Sequence, residues 1–117
     1  MSTHSHEQVA EAWISVQENW WAYQHLQSLI ENSPEEAWDM ILAILERIES
    51  PELLEDLGAG PLEDLMRDHG PEFIDRVESL ARENQRFRAA VSVVDGHLSI
   101  DSQVLERLRR AAARGPV

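Results

Sequence analysis

Residues 57–73 read "LGAGPLEDLMRDHGPEF": two Gly-Pro pairs ten positions apart, with three acids, an arginine and a histidine between them. The stretch admits two readings, a chemical site or two helix starts placed close together. The second governs the fold. Proline is tolerated in a first helical turn because the N–H it lacks has no partner there, and glycine just past a last turn ends a helix. On this reading Gly58 and Gly60 close a short helix carrying Leu53, Leu54 and Leu57. Pro61 opens another with Leu62, Leu65 and Met66, closed by Gly70. Pro71 then opens a longer one with Phe73, Ile74, Val77, Leu80 and Ala81.

The same punctuation recurs upstream. In "NSPEEAW" Ser33 stands at the N-cap, Pro34 at the first helical position, and Glu36 where a capping box needs an acid. Ser50 and Pro51 repeat the device. Before them, Val9, Trp13, Val16, Trp20, Tyr23 and Ile30 recur at helical spacing and predict one long helix from Glu7 to Asn32. The helix opened by Pro34 carries Ala37, Trp38, Ile41, Ile44, Leu45 and Ile48, flanked by Met40 and Leu42. Apolar residues cover more than half its circumference, so it should be the central one.

Downstream, Phe87, Ala90, Val91 and Val94 predict a helix after Asn84, and Asp101 caps a last one with Val104, Leu105, Leu108, Ala111 and Ala112 on one face. Between them "AVSVVDGHLSI" places β-branched residues around Asp95-Gly96. That is a hairpin signal, although helix–turn–helix continues the pattern from Phe87. The expectation is an all-α fold: a single compact domain of about seven short helices over residues 7–114, with 1–6 disordered and 115–117 frayed. Stacked helical hairpins of the HEAT or armadillo type would suit it. The proline starts at 34, 51, 61 and 71 are too unevenly spaced for a true repeat.

Composition narrows the chemistry. There is no cysteine among the 117 residues, which excludes disulfides, thiolate catalysis and Cys-based zinc sites and points to a reducing, cytoplasmic compartment. "MSTHSHEQ" has neither a basic nor an apolar leader segment, and the apolar runs are far too short to span a membrane. The net charge of −12 is unevenly placed. Residues 1–66 hold fourteen acids against one arginine, Arg47, whereas residues 67–117 hold nine arginines against eight acids. Such an N-terminal half repels polyanions and attracts a basic partner, or the C-terminal half of a second copy.

The pieces "PEEAW", "ILAILERI", "LGAGPLEDLMRDHGPEFIDRVESLA" and "RFRAAV", followed by a helical tail after a glycine-containing turn, resemble a small bacterial family catalogued as a domain of unknown function. Gly60-Pro61-Leu62-Glu63-Asp64-Leu65 and His69-Gly70 are its most specific part. The chain departs from the pattern near the final turn, where Val94 and Leu98 stand in place of tryptophan. The resemblance implies a helical fold to the C-terminus, against the hairpin. It implies no activity, cofactor or catalytic residue.

Among side chains that could carry chemistry, His69 with Asp64 or Asp68 is the one acid–histidine grouping beside backbone punctuation. A carboxylate orienting an imidazole would make a general base for a hydrolase. The simpler reading is macrodipole matching, with Glu63 and Asp64 at a helix N-terminus and His69 in its last turn. His4, His6, His25, His69 and His97 are scattered without metal-ligand spacing, so no metal or other cofactor is expected. "GAGPLED" lacks the lysine of a phosphate loop and carries acids. Arg82, Arg86, Arg88 and the tail arginines Arg107, Arg109, Arg110 and Arg114 are interleaved with Glu78, Glu83 and Glu106, as in locally paired solvated faces such as Glu78–Arg82. Nucleic acid is therefore not the expected partner.

Four tryptophans remain to be explained. Trp20 and Trp21 lie about 100° apart on a helix and cannot share one narrow core. With Trp20 beside Trp13 and Tyr23, Trp21 falls with Ile14 on a second face, covered either by the C-terminal helix or by a partner. The expected function is thus a non-enzymatic interaction module of the immunity, antitoxin or adaptor kind, binding a basic protein or self-associating as a homodimer. Trp21 and Ile14 would be its apolar anchors, and Glu31, Glu35, Glu36, Asp39, Glu46 and Glu49, with Glu52, Glu55 and Asp56 beyond them, its steering acids.

Overall fold

Helix boundaries follow the capping residues. The computed structural model describes residues 6–14, 20–95 and 99–113. Ser50 accepts a bond from the Leu53 N–H at 3.1 Å, Asn84 from that of Phe87 at 3.0 Å, and Asp101 from those of Gln103 and Val104 at 2.9 and 3.3 Å. Each satisfies one or two of the N–H groups that a helix start leaves open. Ser33 takes the N-cap position without a side-chain bond, so the expected capping box with Glu36 does not form. One residue joins the two helices there, and the Ser33 N–H already closes the preceding helix on Leu29 at 2.7 Å.

The resulting elements are α1 (His6–Ile14), α2 (Trp20–Asn32), α3 (Pro34–Arg47), α4 (Pro51–Leu57), a π-helical segment (Gly58–Leu62), α5 (Glu63–Glu83), α6 (Gln85–Ser92) and α7 (Ser102–Ala113). The fold is all-α, and the described residues include no strand. Residues 96–98, with Gly96 of the turn that raised the hairpin alternative, lie outside the described residues, as do 15–19, with Val16 of the predicted long helix, and the termini 1–5 and 114–117. His6, counted with the disordered start, already belongs to α1.

Two expectations about chain path are corrected. The long helix from Glu7 to Asn32 is two helices. α1 and α2 pack on each other and both pack on α3, which collinear segments of one rod cannot do. A helical wheel drawn through both therefore loses its phase between them. The second correction concerns the opening motif. Gly58 and Gly60 do not stop a helix: Gly58 is right-handed (φ −70°, ψ −45°), and the described glycines include none with positive φ. The chain runs on from α4 through the π segment into α5. Pro61 cannot donate to the carbonyl four residues back, and the backbone adjusts by a wider turn in which the Glu63 N–H reaches Gly58 O. At the next Gly-Pro pair the expected break is found: two helical stretches of α5 meet at a kink, and its non-helical residue is His69 (φ −139°, ψ 27°).

Two of these glycines serve close approach. A Cβ on Gly58 would sit 2.0 Å from the Ala90 carbonyl oxygen of α6, and one on Gly70 would sit 2.9 Å from Val104 Cγ1 of α7. Gly60 is different, since a Cβ there would meet nothing within 4 Å.

The helices gather as two triangles, α1–α2–α3 and α5–α6–α7, bridged by α4 and the π segment and by contacts of α2 and α3 with α5. One hydrophobic cluster runs through both. Its centre is Trp38 of α3, 6.0 Å from the Phe73 ring and edge-on to Phe87 at 5.9 Å. As expected of the central helix, Ala37, Trp38, Met40, Ile41, Ile44, Leu45 and Ile48 are all buried.

Candidate functional site

His69 and the two aspartates of the acid–histidine grouping bond to different partners. The kink at His69 turns its ring toward the end of α2, where Nε2–H donates to the Ile30 carbonyl oxygen at 2.8 Å. A carbonyl can only accept, so the proton sits on Nε2. The ring thus satisfies one of the carbonyls that the last turn of α2 leaves open. Nδ1 lies 3.7 Å from Glu72. Asp64 accepts from Gln27 at 2.6 Å and from Arg67 at 3.0 Å, and Asp68 accepts from Arg67 at 3.1 Å. Glu63 reaches the backbone N–H of Asp95 at 3.0 Å. His69, Asp64 and Glu63 each tie two segments together, while Asp68 bonds only within its own helix. Among the described residues, no three His, Asp or Glu side chains gather to hold a metal ion, and no helix is long and apolar enough to cross a membrane.

The arginines of the C-terminal half are largely engaged within the molecule. Arg107 bonds both carboxylate oxygens of Glu78 and also Asp75, which locks α7 to α5. This raises the pKa of the guanidinium and lowers that of Glu78, whose largest cause is the bond from Arg107. Glu78 therefore bonds across helices to Arg107, and Arg82 on its own helix, the partner the spacing suggested, adds a weaker Coulombic attraction. Arg86 donates to Leu45 O at 2.9 Å near the end of α3, and Arg110 pairs with Glu106. Arg88, placed by sequence among the solvated arginines, is buried at 9% exposure, because its position on α6 faces the packed side.

The acids of the N-terminal half stand differently. Glu31, Glu35, Glu36, Asp39, Glu46 and Glu49 are all exposed, as are Glu52, Glu55 and Asp56. Glu35 takes a bidentate bond from Arg76 at 2.7 and 2.9 Å, which lowers its pKa, while Arg76 lies over the Phe73 ring. Among the described residues none of the other acids named is held in an ion pair. Of the apolar anchors, Trp21 is 37% exposed and makes a contact of its own on α2, while Ile14 is half-buried against the core at the end of α1. The wheel that paired them ran through a helix the structure divides. The C-terminal helix expected to cover Trp21 packs chiefly on α5 and α6.

What the sequence did not suggest is a cleft of about 310 Å³ where α1, α2, α4 and the π segment meet. Trp13 and Tyr23 supply aromatic walls, and Leu53 and Asp56 come from one face of α4. Ala59, Gly60 and Pro61 of the π segment complete the lining. Trp13 is 5% exposed, and its indole N–H, sealed from solvent, has no acceptor among the described residues. A buried donor left in this state is costly and uncommon. Asp56 is the one carboxylate among the described residues of the lining, and Glu52 and Glu55 share its helix. Sequence spacing had put Trp13 and Tyr23 on a single core stripe and Asp56 in a general ring of acids. Only the wide turn forced by Pro61 brings them together, and no sequence signal announces a π segment.

No curated protein and no solved structure matches the chain. A family match does exist, over residues 10–115, and it contains every residue of the cleft as well as the α5 kink and α7. By that match the chain belongs to the family of unknown function DUF6869.

Proposed function

We propose that this protein is a non-enzymatic interaction module whose acidic N-terminal face binds a basic protein partner. The observation that carries this reading is the fate of the charges. Most arginines of the C-terminal half are bonded within the fold, whereas Glu31, Glu36, Asp39, Glu46 and Glu49 are exposed and bonded to nothing described. Carboxylates left over by folding create a field that steers a cationic surface and suppresses anionic ones. A role in masking a basic toxin, as an immunity or antitoxin protein does, needs this and little more. An adaptor would use the same face.

Tagged protein and its variant Glu36→Gln/Asp39→Asn/Glu46→Gln/Glu49→Gln, purified side by side from the native host, test the reading. The expected result is a defined partner of basic isoelectric point, retained by the wild type at about 0.1 M salt, released by about 0.5 M, and absent from the variant. A partner held equally by both proteins, or insensitive to salt, contradicts it. Sedimentation of the purified protein at the same two salt concentrations shows whether the partner is a second copy.

A further inference from the structure

We propose that the cleft between α1, α2, α4 and the π segment seats an arginine side chain of the basic partner. This rests on the interaction role above and gives it a specificity pocket. Four observations converge on that occupant. The walls are aromatic, Trp13 and Tyr23, and a planar guanidinium stacks on such faces better than an ammonium does. Asp56, with no bonding partner among the described residues, stands at the cleft for charge-assisted bonds to the same group. The cleft's volume, at the low end of ligand pockets, suits one long side chain.

Gly60 is the fourth observation. Its φ is not positive, and apart from its two chain neighbours no atom lies within 4 Å of where a side chain would start. What its bareness does is keep the cleft open, since Gly60 is part of the lining. The π turn that displays it is the kind of irregularity often found at functional sites.

The test uses the full-length ¹⁵N-labelled protein and blocked tripeptides Gly-Xaa-Gly in which Xaa is arginine, lysine or citrulline, with hexa-arginine as a fourth probe. The arginyl peptide should move the Trp13 indole N–H and Gly60 amide signals saturably, and citrulline should bind about tenfold more weakly for want of the charge. Gly60→Leu, which fills the cleft, and Asp56→Asn, which preserves shape, should each weaken that response about tenfold. Both should leave the effect of hexa-arginine on the α3 amides intact. Citrulline binding as well as arginine, or Gly60→Leu binding as well as wild type, overturns the proposal. Hexa-arginine shifting Glu36, Asp39 and Glu46 but not Trp13 overturns the cleft and spares the acidic face. No response to hexa-arginine anywhere removes both.

Discussion

The two triangles of helices are built alike and charged differently. Each packs three helices around apolar side chains of a shared cluster. In α5–α6–α7 the polar surface is used for cohesion, with Arg107 joining α7 to Glu78 and Asp75 of α5 and Arg110 paired with Glu106. In α1–α2–α3 the acids of α3 point outward, and among the described residues only Glu35 is bonded to an arginine, Arg76, lent by the other triangle, which also attracts Asp39 at longer range. The difference shows where folding has used its charges and where it has left them for another molecule. Mixed-sign faces can satisfy themselves. A face of one sign cannot, and it persists at some cost in self-repulsion.

The sharpest way to break the comparison is to separate the triangles. Trp38 touches the aromatic rings of both α5 and α6 and is 7% exposed. Trp38→Ala should cost about 3–5 kcal/mol in denaturant unfolding. If one cluster truly spans the molecule, the loss should appear in a single transition, with both halves melting together.

A smaller effect separates the glycines of the π segment. Gly58→Ala drives a methyl into the Ala90 carbonyl and should cost about 1–3 kcal/mol. Gly60→Ala, two positions on, should be neutral or gain up to about 1 kcal/mol, because it only restricts the unfolded chain. Equal effects at both positions would mean that the close approach of the π segment to α6 is misplaced.

Lowering the pH probes the cohesive half alone. The bond from Arg107 holds the Glu78 carboxyl below its ordinary value of 4.5. A carboxyl depressed in the folded state stabilises above its unfolded value and gives that stability up as pH falls through the folded one. Wild-type protein should therefore lose stability below about pH 4.5, and Glu78→Gln should lose less over the same range while starting lower at pH 7. A parallel fall in both proteins would remove Glu78 from the account. Glu35, lowered by Arg76, adds to the wild-type slope in the same direction.

Much of this was legible in the sequence. Fold class, the central helix with its stripe from Ala37 to Ile48, and the caps at Ser50 and Asp101 follow from periodicity and capping chemistry, which act over a few residues. The failures share one cause: they depend on what lies across the fold. Glycine after a helical stripe reads as a stop from local rules, yet Gly58 is a glycine because α6 comes too close for a side chain, as α7 does at Gly70. The helix period ran through Val16 without registering that α1 and α2 pack on each other. Arg107 resembled any other solvated arginine until Glu78 and Asp75 stood opposite it. The cleft needed all of these at once, and so was invisible.

The partition of charge is the claim on which the rest depends, and unfolding midpoints of two triple variants at pH 7 test it directly. Neutralising the outward face, by Glu36→Gln, Asp39→Asn and Glu46→Gln, should leave the midpoint unchanged within about 0.5 kcal/mol or raise it. Neutralising Asp75, Glu78 and Glu106 in the same way should lower it. A loss in the first variant as large as in the second would show that the N-terminal acids hold the fold together, and would contradict the account.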